Sequence, residues 1–227
     1  MRQAERFYDA HAAQYEPKFD KPVVRRIKRL EEKQVLEFLF EHLPPAGRLL
    51  ELGCGTGLFT LPVAERGYDL TAVDIASGML DETRRKLERR GMASVTVVKA
   101  DVEALPPMGG FDAVYGIGLL EYLDSPAQFI RQVAGLLEPG GVACFTGPTL
   151  SLNGLIYRTV SWLRKGMRMQ LFSSRRLRTL FTDAGLDFIA ARDVGFSLTL
   201  NRPLTRVAAG RKPVHAPPAT PRELSEE

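Results

Sequence analysis

Cysteine and histidine are scarce in this chain. Its 227 residues hold two cysteines, Cys54 and Cys144, and three histidines, His11, His42 and His215. Two distant cysteines make neither a disulfide framework nor a metal-ligand spacing, and the scattered histidines add no metal site. With no signal-peptide pattern, this cysteine usage points to a reducing cytoplasm. No apolar run approaches the ~20 residues needed to span a bilayer, and no internal repeat is present. Net charge is only +4, with a pI of about 9.2. What remains is an ordinary globular composition, 44% hydrophobic and 26% charged, long enough for one domain with a proper core.

Against that plain background one stretch stands out: Leu49-Leu50-Glu51-Leu52-Gly53-Cys54-Gly55-Thr56-Gly57-Leu58-Phe59-Thr60. It reads as a buried strand, a glycine-rich turn and the start of a helix. Glycine tolerates positive φ and lets a ligand approach the backbone, and ligands bind beyond the carboxyl ends of strands in open α/β sheets. A dinucleotide fingerprint would run G-x-G-x-x-G. Here the third slot is Leu58 and the extra glycine falls early, at Gly57.

Alternating strand and helix patterns continue downstream. Tyr68–Asp74 reads as a second strand, and Asp74 at its end is well placed to accept hydrogen bonds from ribose hydroxyls. The next helix runs from Ser77, its expected N-cap, to Arg90, with Met79, Leu80, Thr83 and Leu87 inward and Gly91 as its stop. Its outer face is basic but lacks interleaved aromatics, so it reads as solvated surface rather than a nucleic-acid contact. Val95–Lys99 and Phe111–Ile117 give two more strands, and Ser125-Pro126 opens a helix. Pro139-Gly140-Gly141 reads as a turn into a fifth strand, Val142–Thr146. Upstream, residues 2–15 and Pro22–Leu43 have helical spacing, broken at Pro17.

Four segments in this order resemble class I S-adenosylmethionine-dependent methyltransferases of the small-molecule type, similar to the ubiquinone- and menaquinone-biosynthesis group. They are Glu51 with its G-x-G-x-G loop, Asp74, Ala100-Asp101-Val102, and the Leu-Leu-Glu-Pro-Gly-Gly landmark before the fifth strand. The resemblance covers roughly residues 45–200. It implies a Rossmann-like, seven-stranded, mostly parallel sheet with helices on both faces and an antiparallel last strand. It also implies S-adenosylmethionine as cofactor, bordered by Tyr15, Glu51, Gly53, Cys54, Gly55, Gly57, Asp74, Ile75, Asp101, Val102 and Gly116. Within that set, Glu51 would lie near the methionine amino group and Asp101 would face the adenine amino group. On the acceptor side the candidates are Glu121, Tyr122 and His11, with no metal.

The expected organisation is a helical lid over 1–44, a methyltransferase domain over 45–210 and a disordered, proline-rich tail over 211–227. Within the domain, 149–172 reads as a helical cap that is apolar on one face and basic elsewhere. It could pack over the substrate pocket, clamp an acidic or lipophilic acceptor, or touch a membrane surface. Gly195–Leu200 is read as the final strand. The predicted reaction is methyl transfer to a small-molecule or lipid-like acceptor. The Asn/Asp-Pro-Pro-Tyr/Phe signature of enzymes that methylate nucleobases is absent, which disfavours nucleic acid. Two other readings stay open: a catalytically silent cofactor- or partner-binding module, and a nicotinamide oxidoreductase.

Overall fold

The computed structural model describes residues 2–16, 21–167, 169–195 and 203–214. Two helices come first, α1 (Arg2–His11), followed by a 3₁₀ turn at Ala12–Gln14, and α2 (Pro22–His42). The central sheet then alternates with helices: β1 (Arg48–Leu52), α3 (Thr60–Ala64), β2 (Asp69–Asp74), α4 (Ser77–Arg89), β3 (Thr96–Lys99) and β4 (Phe111–Gly116). After a 3₁₀ turn at Leu120–Tyr122 come α5 (Pro126–Leu136), β5 (Leu137–Pro148), α6 (Leu152–Lys165), α7 (Ser174–Thr182), β6 (Asp187–Val194) and β7 (Thr205–Arg211). The strand order is β3-β2-β1-β4-β5-β7-β6. Among the described strands only β7 runs against its neighbours, antiparallel to both β5 and β6.

The period of two in the strands sends alternate side chains to opposite layers. Leu50, Leu52, Val114, Ala143 and Phe145 pack under α5 and α7 with Phe129, Ile130, Val133 and Phe181. Leu49, Ala113, Tyr115 and Cys144 face the other way, against Val35, Phe38 and Leu39 of α2. Both faces are therefore covered, as a parallel sheet requires. Strand order reverses direction at β1, so a crevice opens at the carboxyl ends of β1 and β4.

Several local expectations are corrected. Residues 196–200 lie outside the described residues, and the last strand comes from Thr205–Arg211 instead. That segment is rich in alanine and glycine and carries little strand signal. It is held by packing, because a Cβ on Gly210 would sit 2.4 Å from a Phe181 ring carbon. Pro139-Gly140-Gly141 is an irregularity within β5 rather than a turn before it. The register passes from Leu137 opposite Phe111 to Val142 opposite Ala113, and Gly140 N–H and Gly141 C=O bond to Lys212. The helix after the glycine loop begins at Thr60, since Gly57 still holds a positive φ of 81°.

Ser77 is not the N-cap of α4. Ala76 is, without a side-chain cap, and Asp9 of α1 accepts from the Gly78 N–H at 2.9 Å in its place. At the other end Gly91 behaves as expected. Its N–H bonds to Glu88 and that of Met92 to Leu87, a Schellman closure. Residues 215–227, the expected tail, lie outside the described residues. Among the described residues no helix is long and apolar enough to cross a membrane.

Candidate active site

The three loop glycines all hold left-handed backbone, with φ of 72°, 55° and 81° at Gly53, Gly55 and Gly57. Asp74, at the end of the neighbouring strand, fixes this loop. One carboxylate oxygen accepts from Gly55 N–H at 2.8 Å and the other from Ala76 N–H at 2.9 Å. Burial raises the Asp74 carboxyl above its ordinary value, and these N–H donors pull it part of the way back. Thr83 of α4 donates to the Gly55 carbonyl at 2.8 Å, which secures the loop from its other side.

A cavity of about 100 Å³ opens beside this loop. Gly53, Gly55, Asp74, Ile75 and Val102 of the expected cofactor set line it, together with Tyr15 from the lid and Tyr122 from the acceptor set. All of the non-lid members follow strand ends. Ala4, Tyr8, Met79, Ile117, Gly118 and Leu119 complete the wall, and none of these was picked out as a site residue from the sequence. Tyr8 carried a usable signal, since it lies two helical turns before Tyr15. A larger cleft of about 460 Å³ lies between α2, Leu58–Pro62 and the outer side of α4. No strand-end residue lines it.

Other expected residues sit elsewhere. Glu51 is 2% exposed beneath the loop and accepts from the Thr60 hydroxyl at 2.6 Å. Burial pushes its carboxyl up to about 8; the Thr60 bond opposes the rise and the Asp74 charge adds to it. Cys54 is buried with Ala72 and Leu80, and desolvation raises its thiol far above the ordinary range. Gly57 packs against Thr83. Asp101 uses one oxygen to accept from Glu103 N–H at 2.9 Å, next to cavity-lining Val102. His11 is exposed, stacked on Phe7 and bonded to that residue's carbonyl. It is not brought to the cavity.

Glu121 is buried in the 3₁₀ turn, and one of its oxygens lies 3.9 Å from where a Cβ on cavity-lining Gly118 would stand. The Tyr8 ring stands 6.0 Å from both the Tyr15 and the Tyr122 rings. Burial raises the Tyr8 and Tyr122 hydroxyls well above their ordinary value, with Glu121 adding to the effect. Both therefore stay protonated donors near neutral pH. The lid carrying Tyr8 and Tyr15 is tied down by Glu16, which accepts from Thr56 of the loop and pairs with Lys86 of α4.

Two glycines of the expected cofactor set have separable jobs. A Cβ on Gly55 would meet nothing within 4 Å, whereas one on Gly116 would stand 2.8 Å from the Leu52 carbonyl and the Phe145 ring. Gly55→Ala is expected to cost only about 1–2 kcal/mol, the left-handed backbone penalty, yet to weaken S-adenosylmethionine binding at least tenfold. Gly116→Ala is expected to destabilise by roughly 1–3 kcal/mol through overpacking, with ligand affinity retained in the folded fraction. Paired melting curves and titrations check both.

Known proteins share this fold. The methyltransferase domain family matches residues 24–191. The ubiquinone biosynthesis O-methyltransferase of Xanthomonas axonopodis pv. citri (strain 306) is 37% identical over 108 residues, which is 47% of this chain and 45% of that protein. The chain thus spans about half the length of the first curated relatives it matches. Among solved structures, magnesium protoporphyrin IX methyltransferase from Synechocystis PCC 6803, with bound SAH, superposes with a TM-score of 0.73 at 16% identity, covering 92% of this chain and 98% of that one. The [4+2]-cyclase SpnF superposes at 0.67 and 21% identity, covering 81% of each chain. Such structural likenesses speak for the fold. Joined to a family match over most of the length, they identify the chain as a member of the methyltransferase domain family, with the class I S-adenosylmethionine-dependent fold.

Proposed function

We propose that this chain transfers a methyl group from S-adenosylmethionine to a hydroxyl-bearing, lipophilic small molecule. The observation that carries the reading is the Asp74 carboxylate clamped across the glycine loop at the strand ends. Its remaining lone pairs suit vicinal ribose hydroxyls, and Gly55 leaves open space for a ligand. Ligand pockets usually measure ~300–1,000 Å³, against about 100 Å³ here. Ala4, Tyr8 and Tyr15 wall the cavity on one side, so α1 and the 3₁₀ turn after it would act as the lid that opens for entry, while α2 stays packed on the sheet. The buried, unbridged thiols of Cys54 and Cys144 suit a reducing cytoplasm.

When bound, S-adenosylmethionine supplies a methyl group already activated on a sulfonium. The chain's own work is then alignment and proton handling, and alignment alone can lower a barrier by ~7–11 kcal/mol. Tyr8, whose hydroxyl accepts from Tyr122, would donate a hydrogen bond to the acceptor, while Glu121 would take the acceptor's hydroxyl proton. The O-methyltransferase activity named for the Xanthomonas relative favours oxygen as the methylated atom. Tyr157 of α6 would border the acceptor, consistent with the field of Glu121 acting on its hydroxyl.

A panel of alkyl-substituted phenols, quinols and amines, with S-adenosylhomocysteine release as readout, tests the reading. Glu121→Gln is expected to lower kcat on a hydroxyl acceptor by ~10²–10⁴, the usual range for a general base, with unchanged affinity for S-adenosylmethionine. An unchanged kcat would remove Glu121 as the base. A second reading, binding without methyl transfer, draws support from the cyclase on the same fold, because fold alone does not fix chemistry. It would be favoured if the cofactor binds but no member of the panel is methylated.

A further inference from the structure

Helix α6 is built inside out for a helix facing water. A surface helix normally buries its apolar stripe and exposes its polar face. Here the buried positions are Asn153 and Ser161, each 4% exposed, and Gly154, while Leu152 is 59%, Trp162 52% and Leu163 71% exposed. Leu155, Ile156 and Val160 complete the exposed stripe at helical spacing, and Leu150 just before the helix is exposed as well. Ser151 caps the helix through Gly154 N–H, and Gly166 closes it with left-handed backbone. The element is thus well specified, with its apolar face outward.

The charge of the sequence segment that carries this helix narrows the choice of partner. From Pro139 to Thr182 the sequence contains no Asp or Glu and seven basic residues: Arg158, Arg164, Lys165, Arg168, Arg175, Arg176 and Arg178. Those seven exceed the whole chain's net charge of +4, so the remainder is net negative. A second copy docking here would bring the same basic segment against itself, since a two-fold interface is self-complementary. An anionic lipid surface answers both features. Amphipathic helices with Leu and Trp on one side and Lys and Arg elsewhere lie in the headgroup boundary, and Trp and Tyr favour that depth.

We propose that α6 docks this protein on an anionic lipid bilayer, with Leu152, Leu155, Ile156, Val160, Trp162 and Leu163 entering the headgroup boundary. The segment after α6 is tied to the site's 3₁₀ turn by Gln170, whose N–H donates to the Glu121 carbonyl at 2.9 Å and whose side chain donates to the Leu123 carbonyl at 2.7 Å. A lipophilic acceptor could then pass from the bilayer to the cavity without crossing water. The docking goes beyond the proposed reaction and does not need it.

The test is flotation of the full chain with phosphatidylcholine vesicles, with and without 30 mol% phosphatidylglycerol, at low and high salt. The wild type is expected to float with the anionic vesicles, at least tenfold more than with neutral ones, and to be released by salt. Leu155→Ser/Ile156→Ser/Leu163→Ser is expected to lower anionic-vesicle binding at least tenfold while leaving the melting curve and the S-adenosylmethionine titration unchanged. Arg158→Glu/Arg164→Glu/Lys165→Glu should lower it similarly. The proposal is overturned if the wild type stays with the soluble fraction, if the serine variant floats equally well, or if sedimentation shows a wild-type dimer that the serine variant breaks without any vesicle binding. The parallel titration reports on the methyltransferase reading separately.

Discussion

Asp74→Ala is expected to weaken S-adenosylmethionine binding by 100-fold or more. The same carboxylate both shapes the loop, through Gly55 and Ala76 N–H, and presents its remaining lone pairs to the cavity. Hydrogen bonds to a charged group are each worth about 1.5–3 kcal/mol, and every 1.4 kcal/mol is tenfold in affinity, so losing two ribose contacts already reaches that range. Asp74→Asn should not rescue it. Its amide would turn an N–H₂ toward either Gly55 N–H or Ala76 N–H, setting donor against donor where the carboxylate accepted twice. Calorimetric titration with S-adenosylmethionine, S-adenosylhomocysteine and NADH decides the matter. Retention of affinity within threefold in Asp74→Ala would sink the assignment, and a wild-type preference for NADH would reopen the oxidoreductase reading.

The scaffold was legible in the sequence because its signals are local. Runs such as Leu49–Leu52 and Val142–Thr146 are buried on both faces and read directly as central strands. Gly91 and the Ser125-Pro126 pair mark helix ends by chemistry within a few residues. Illegible features depend on distant partners. Nothing near Thr205–Arg211 announces a strand; β5 and β6 make it one by flanking it. Nor does the local sequence reveal that Asp9 would cap α4, or that Glu16 would tie the lid to Thr56.

The site shows the same division. Gly53, Gly55, Asp74, Ile75 and Val102 follow strand ends, where local pattern predicts position, and all line the cavity. His11 had only helical spacing in its favour, and its side chain turns to its own helix. Gly116 and Gly55 look alike as letters, yet one is required by a neighbouring strand and the other by the space in front of it. The outward apolar face of α6 was likewise undecidable, since a helical stripe says that one face is apolar but not what it meets.

Glu51→Gln is expected to remove a large pH dependence of stability, because the buried carboxyl titrates near 8 in the folded protein against an ordinary value of 4.5. The folded state holds this proton more tightly than the unfolded state does. Its contribution is therefore fully present below about pH 4.5 and is lost as pH rises toward 8, beyond which the fold carries a buried carboxylate. At 1.36 kcal/mol per pKa unit the loss is of the order of 5 kcal/mol. The glutamine amide keeps an acceptor for Thr60 and cannot ionise, so the variant's melting temperature should stay nearly level from about pH 5 to about pH 8.5 and exceed the wild type's at the upper end. Equal slopes in the two proteins would show that Glu51 is not held protonated by burial. Saturating S-adenosylmethionine then separates structure from function. If its ammonium pairs with Glu51, the ligand stabilises the carboxylate and flattens the wild-type slope, and it should bind the glutamine variant more weakly at about pH 8. If the ligand raises both proteins equally at every pH, Glu51 supports the loop through Thr60 alone and makes no contact with the amino group.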